Sequence, residues 1–258
     1  MSSMRTIFES SNRIHSRFFE IADFNDIPPP EVEENFLDIF GTDDAHDRIA
    51  QGASVEPGII RLLHNLERSH DITSGANEPS VDTFSMELLH ATQFTDEVQR
   101  IYLDVKPNHR LWVCGMKMYA KPDLCIKDAN QLVVHVQENK AYLNGADPEP
   151  QLIAEAISVF WNNNLRLIDL HMDPLDHDII PGIIMVGTMP KFYKIPVSIE
   201  LVDAVRDGTF PELETVVRSF TPPIPPVLQY TEGMQPLDNR EAILSYYAAY
   251  RHFVLHMD

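Results

Sequence analysis

The chain has 258 residues, 44% of them hydrophobic, which is enough for one elaborated domain with a sizeable core. No apolar run approaches the ~18 residues a membrane span requires, residues 1–20 lack the continuous apolar stretch of a secretory signal, and two cysteines, Cys114 and Cys125, do not make a disulfide framework. The net charge of −19 argues, for the chain as a whole, against a nucleic-acid partner.

The distribution of that charge changes the argument. From Asp23 to Asp47 there are nine acidic residues and no Lys or Arg, about half of the excess. From Val98 to Lys140 the balance reverses, with seven basic residues against four acids. Local charge steers an anionic substrate into a cleft more than the total does, so the pattern permits a phosphate substrate without requiring one. The cysteines sit in apolar runs and read as small buried hydrophobes. An intracellular compartment, cytoplasmic or nuclear, is expected.

Taken in chain order, Ile7, Ile14, Phe18 and Ile21 predict a short helix within residues 1–22. Pro28, Pro29 and Pro30 break the chain. The acidic stretch that follows holds Val32, Phe36, Leu37, Ile39 and Phe40 and is expected to form a docked acidic helix. Residues 57–68 predict a helix, 70–79 a loop, and Ser80 or Asp82 the cap of a helix carrying Phe84, Leu88 and Leu89. Strands are expected at 99–105, 111–119, 122–126 and 131–140, with a turn at Asp128-Ala129-Asn130. A helix at 151–161 follows a loop at 145–150. Then come a buried strand at 179–189, a partner at 192–199, and a short helix at 200–207 ended by Gly208. Residues 221–226 read Thr-Pro-Pro-Ile-Pro-Pro and are extended; 240–256 predict a closing helix. The class is mixed α/β, a central mixed sheet flanked by helices. The expected organisation is one domain: an acidic helical extension at 1–78, a core at 79–200, and a helical, Pro-rich extension at 201–258.

The strand at 131–140 carries the chemistry. Side chains alternate across a strand, so Leu132, Val134, Val136, Glu138 and Lys140 are expected on one face and Val133, His135, Gln137 and Asn139 on the other. Glu and Lys are seldom buried unless paired or bound to metal. Just upstream, Pro122-Asp123 opens another short apolar strand, so two carboxylates and an ammonium can converge at neighbouring strand ends. Phosphodiester hydrolysis uses such a set. Hard oxygen ligands hold Mg²⁺ or Mn²⁺, the ion activates water, and a lysine orients it or neutralises charge on the phosphate.

Pro122-Asp123, a gap and Glu138-Asn139-Lys140 resemble the PD-(D/E)XK nuclease superfamily. The resemblance covers roughly residues 80–188 by element order, although the motif itself is five residues. It implies a restriction-endonuclease-like helix–strands–helix–strand core. It also implies that Asp123 and Glu138 are Mg²⁺ or Mn²⁺ ligands, that the Asn139 carbonyl is a further contact, and that Lys140 is catalytic. A further acid on the first core helix, as in many members, is matched by Glu87 and then Asp82; a solvated helix glutamate is the alternative. Gln151 stands where recombination-type members carry Gln-x-x-x-Tyr, but Glu155 replaces the Tyr. The chain is also loosely similar to uncharacterised fungal proteins that share the Gln137-Glu138-x-Lys140 strand and the following Pro150-Gln151-Leu152 helix, a likeness that implies no activity.

Gln151, Lys121, Lys191 and Lys194 are candidate substrate contacts, with Lys191, Lys194 and Tyr193 considered as a phosphate groove; surface lysines are the alternative. Residues 169–178 are rich in Asp and His but match neither a zinc nor a calcium spacing, and read as a solvated loop. His135, Trp112 and Trp161 read as core. The expected function is a metal-dependent nuclease acting on DNA or RNA. The alternatives are a catalytically silent binding protein of the same fold and a metal-dependent enzyme on a small anionic molecule. The acidic segment is expected to dock on the basic cleft or on a protein partner.

Overall fold

A computed structural model describes residues 18–19, 32, 34–70, 78–141, 147–224 and 232–255. Helices α1 (Glu34–Asp38), α2 (Thr42–Ala50), α3 (Pro57–His70) and α4 (Glu78–Ala91) lead into strands β1 (Tyr102–Val105), β2 (His109–Val113), β3 (Met116–Ala120), β4 (Leu124–Lys127) and β5 (Val133–Lys140). Helix α5 (Glu149–Asp169), strands β6 (His177–Val186) and β7 (Met189–Ser198), helix α6 (Ile199–Asp207), strand β8 (Arg218–Phe220) and helix α7 (Leu237–Leu255) follow.

Six strands form one sheet in the order β1-β4-β5-β6-β7-β8, while β2 and β3 form a separate hairpin. Every neighbouring pair in the large sheet is antiparallel except β5 and β6, which run parallel with α5 as their crossover. A parallel pair needs such a long connection, and the 21-residue α5 supplies it. The mixed sheet flanked by helices is the expected class.

Two apolar layers cover the sheet. Helices α3, α4 and α7 pack on one face around Leu62, Phe84, Phe192, Tyr247 and Tyr250. Helix α5 packs on the other around Val136, Leu152, Val159 and Ile184, joined by Leu111 of β2 and Val202 of α6. Gly182 of β6 lets α5 approach closely, since a Cβ there would lie 3.1 Å from a Leu152 methyl. The Tyr250 hydroxyl fixes α7 to the opposite face, within 2.8 Å of the Gly182 carbonyl and 2.9 Å of the Tyr193 carbonyl.

Several expectations are corrected. Residues 111–119 are not one strand but a hairpin, because Cys114 and Gly115 turn the chain at φ 51° and 75°. Cys114 is therefore exposed at the turn, whereas Cys125 is buried as expected. Ser80 and Asp82 lie inside α4 rather than capping it. A bulge where β4 meets the start of β5 breaks the alternation; Val134 consequently packs with the α7 layer and Val136 with the α5 layer. The first strand is shorter than predicted, and β8 has no counterpart among the predicted strands. The helix within residues 1–22 lies outside the described residues apart from Phe18 and Phe19, which are helical. The loop at 70–79 lies mostly outside them too, with His70 ending α3.

The acidic stretch does dock, as two helices. Phe36 and Ile39 are fully buried, and the Arg240 guanidinium of α7 donates to the carbonyls of Phe36 and Ile39 at 2.7 Å each and of Phe40 at 3.1 Å. The described part of the acidic segment thus packs on α3 and α7. The expected docking of this segment on the basic cleft falls otherwise on residues 23–31 and 33, outside the described residues.

Candidate functional site

Asp123 immediately precedes β4, and in the antiparallel register Leu124 faces Gln137, so Asp123 comes level with Glu138 on β5. Its carboxylate accepts the Asn139 backbone N–H at 2.9 Å. Glu138 is only 1% exposed and its carboxylate meets the Lys140 ammonium. The three motif residues are therefore brought together at the ends of two neighbouring interior strands, with Lys140 also 3.4 Å from a Glu78 oxygen.

Helix α4 supplies the surroundings on one side. Glu78, Asp82 and Ser85 recur at i, i+4 and i+7 and so share a face. Asp82 accepts from the Asn139 side-chain amide at 3.1 Å and pairs with Lys106 at 2.9 Å. Lys106 reaches on to Asp123 at 3.8 Å. The Asn139 side-chain oxygen accepts from Ser85 at 3.0 Å and from Gln137 at 2.8 Å. Asp82 and Glu78, not Glu87, are the acids of this helix beside the motif; Glu87 lies about 140° further round the helix from Asp82 and faces Arg61 at 3.5 Å.

Helix α5 supplies the other side. Its apolar face runs through Leu152, Ala156 and Val159, and Glu155 sits within that face at 2% exposure. Gln151 donates to Glu155 Oε1 at 3.2 Å, while Glu138 Oε1 is taken by the Lys140 ammonium and the Glu155 and Glu138 side chains are close enough to share a proton. Burial, and then the neighbouring Glu138 charge, push the Glu155 carboxyl up to about 9, so it holds a proton at neutral pH. Burial also raises Glu138 and Asp123 above the usual carboxylate range, opposed at Glu138 by Lys140 and at Asp123 by the Asn139 N–H. Burial by itself would lower Lys140, but the Glu138 carboxylate outweighs it and holds the ammonium above its ordinary value.

The expected substrate contacts fare differently. Lys121 is exposed two residues before Asp123, and Gln151 lies at the rim of the acid cluster. Lys191 pairs with Glu149 at 3.1 Å, beside Tyr193, whose hydroxyl donates to the same carboxylate at 2.8 Å. Lys194 projects from the opposite face of β7, 3% exposed, with its ammonium 3.6 Å from the centre of the Phe253 ring. The expected groove lined by both lysines is not formed, because i and i+3 on a strand point to opposite faces. His135 is a core residue as expected; burial lowers it to about 3.

Lys106, Glu155, Glu78 and Ser85 were not among the residues expected here. The signal for Glu155 was present: an acid at i+3 between apolar residues at i, i+4 and i+7 marks a buried carboxyl.

The residues present fit a hard divalent cation in one respect and are limited in another. Glu138 offers a buried carboxylate, one oxygen of which already meets Lys140, level with a second carboxylate just before the adjacent strand. Among the described residues no three His, Cys, Asp or Glu side chains are grouped to hold a metal. The donors that the motif itself offers are the Asp123 and Glu138 carboxylates, each already facing a lysine of the chain, Lys106 and Lys140. Two carboxylates with water and substrate oxygens are a usual complement for Mg²⁺.

No protein-family model matches the chain, and no curated protein is significantly similar to it. Among the described residues no helix is long and apolar enough to cross a membrane.

Proposed function

We propose that this protein is a metal-dependent nuclease of the PD-(D/E)XK type, hydrolysing phosphodiester bonds of DNA or RNA. The observation that supports this most is the convergence of Asp123, Glu138 and Lys140 at the ends of two adjacent strands, with Glu138 buried, Asp123 half-buried and the ammonium against Glu138. Asp123, Glu138 and the Asn139 carbonyl would hold Mg²⁺ or Mn²⁺, which when bound polarises a phosphate and lowers the pKa of water. Lys140 stays protonated beside Glu138, so it donates and cannot accept a proton; its part is to orient the attacking water and to offset charge on the phosphate. Asp82 and Lys106 hold Asp123 and Asn139 in register. The element order supports the same reading: α4, the strands β1, β4 and β5, then α5 and β6, a helix–strands–helix–strand core.

A second reading has its own support. Lys140 against Glu138, and Lys106 bridging Asp82 and Asp123, compensate the carboxylates with the chain's own cations. In that reading the fold binds a partner and does not turn over. Incubation of the protein with single- and double-stranded DNA and RNA, with Mn²⁺ or with chelator, separates the two. Cleavage that needs Mn²⁺ and is lost in Asp123→Ala supports the enzyme; intact substrates throughout overturn it. A parallel assay on small phosphate esters tests the remaining alternative, the same site acting on a small anion.

A further inference from the structure

The hairpin β2–β3 is inserted between β1 and β4, so both of its stems arise at the candidate site. The Lys106 backbone N–H donates to the Asp123 carbonyl at 2.9 Å, and the two residues close the base of the insertion. The tip is also fixed: Cys114 and Gly115 donate backbone N–H groups to the Val205 and Arg206 carbonyls of α6 at 3.0 and 2.6 Å. His109 and Leu111 of β2 turn inward and are buried. The hairpin is thus held at base, flank and tip.

Its outward face has a definite composition. Arg110 faces Tyr119 across the two strands and Trp112 faces Lys117, and directly opposed residues share a face. Trp112 is 40% exposed and Tyr119 49%, although large aromatics carry the greatest gain from burial. The Lys117 ammonium lies 5.3 Å from the centre of the Tyr119 ring, a cation–π contact that keeps the ring face and the charge together at the surface. From Lys106 to Lys121 the chain has four Lys and Arg residues and no acid, in a protein of net charge −19. Among the described residues no carboxylate pairs with Arg110, Lys117 or Lys121. On α6, the helix that holds the tip, Asp203 and Asp207 are both taken by Arg206, at 2.6 and 2.9 Å.

We infer that this face binds single-stranded nucleic acid, Trp112 and Tyr119 stacking on unpaired bases while Arg110, Lys117 and Lys121 track the phosphates, and that it delivers the strand to the candidate site at the hairpin base. The inference rests on the nuclease reading for its delivery step only. An acidic peptide would satisfy the cations but not the rings. A duplex hides its base faces, whereas an unpaired strand offers both a π-face and a phosphate at each nucleotide.

The test uses the full chain and labelled oligothymidylate, oligouridylate and duplex of about twelve base positions, at low salt, with chelator present so that no metal chemistry enters. Tight binding of the single strands is expected, several-fold stronger than of the duplex, with quenching of Trp112 fluorescence in a Trp161→Phe background. Trp112→Ala with Tyr119→Ala is expected to weaken binding at least about tenfold. Arg110→Gln with Lys117→Gln is expected to reduce the slope of log affinity against log salt by about 1.4. These residues are exposed, so folding is checked by an unchanged melting temperature. Duplex binding equal to single-strand binding, an aromatic variant that binds as the wild type does, or equal displacement by polyglutamate of matched charge would each overturn the inference. Binding in chelator with no cleavage in Mn²⁺ overturns the nuclease reading and leaves the binding face standing. Cleavage of single strands undiminished in the aromatic variant overturns the binding face and leaves the nuclease reading standing.

Discussion

The Asp123 carboxylate accepts the Asn139 backbone N–H at 2.9 Å, a bond that ties the start of β4 to β5 between Glu138 and Lys140. One carboxylate oxygen thus has a structural duty while the other faces Lys106. The two duties separate by substitution. Asp123→Asn keeps an acceptor for the N–H and is expected to fold with nearly the wild-type stability, yet to lose Mn²⁺ binding by calorimetric titration. Asp123→Ala loses both; a buried N–H left without a partner costs about 1–3 kcal/mol, read by urea denaturation. Mn²⁺ titrating equally into wild type and either variant would remove Asp123 from the metal set.

Lys140 neutralises a carboxylate that is 1% exposed. Removing one partner of a buried ion pair strands the other and costs on the order of 3–5 kcal/mol. Part of that loss should be avoided here by protonation of Glu138. Lys140→Ala is therefore expected to lower stability in chelator, to regain much of it when Mn²⁺ is added, and to bind Mn²⁺ at least as well as the wild type. Turnover is expected to be lost. Retained cleavage in this variant would make Lys140 structural only.

Arg240 places all of its donor groups on main-chain carbonyls: Phe36, Ile39, Phe40, Met234 and Gln235. Burial lowers its pKa to about 10, still leaving it charged at neutral pH. Arg240→Met fills similar volume but leaves buried carbonyls unpaired, and a loss of at least about 3 kcal/mol is expected. Limited proteolysis should then open residues 34–50 first, since three of the five carbonyls belong to that segment. Arg240→Lys is expected to recover little, because an ammonium has three donors at one point and not a planar fork. The expected docking of the acidic segment on the basic cleft cannot be tested by deleting the segment, since that removes Phe36 and Ile39 from the core. Replacing the segment's exposed acids is the cleaner experiment.

What could be read from the sequence was what local periodicity encodes. The helix at α3 followed from Ile59, Leu62, Leu63 and Leu66, and the end of α6 from Gly208, which adopts φ 72°. Asp123, Glu138 and Lys140 were visible because charged residues at the end of an apolar strand are anomalous. Tertiary choices were hidden. The run Leu111 to Tyr119 alternates well enough for one strand, and only Gly115 hinted at the reversal that exposes Trp112. Glu87 ranked ahead of Asp82 as the helix acid, and only the orientation of α4 against β5 reverses that order. Lys191 and Lys194 looked like a pair, although strand alternation already sends them to opposite faces. The bulge at Val133 and Val134 left no mark in composition.

His135 gives the clearest pH signature. It is fully buried between Phe94 and Tyr250, with the Gln137 side chain as its polar neighbour. Burial lowers its pKa from 6.5 to about 3. The folded protein therefore keeps the ring neutral where the unfolded chain protonates it. A depressed histidine contributes stability that is fully present above about pH 6.5 and is lost as pH falls toward the folded value of about 3. In that window the unfolded state binds one more proton, a slope of about 1.4 kcal/mol per pH unit. His135→Leu, an uncharged residue of comparable size, is expected to match the wild type within about 1.5 kcal/mol at neutral pH. At pH 5 it should be the more stable of the two relative to that baseline, by about 2 kcal/mol. Urea denaturation of both proteins at pH 7.5 and pH 5 measures the difference, and parallel stability curves over that range would show that His135 does not titrate on unfolding.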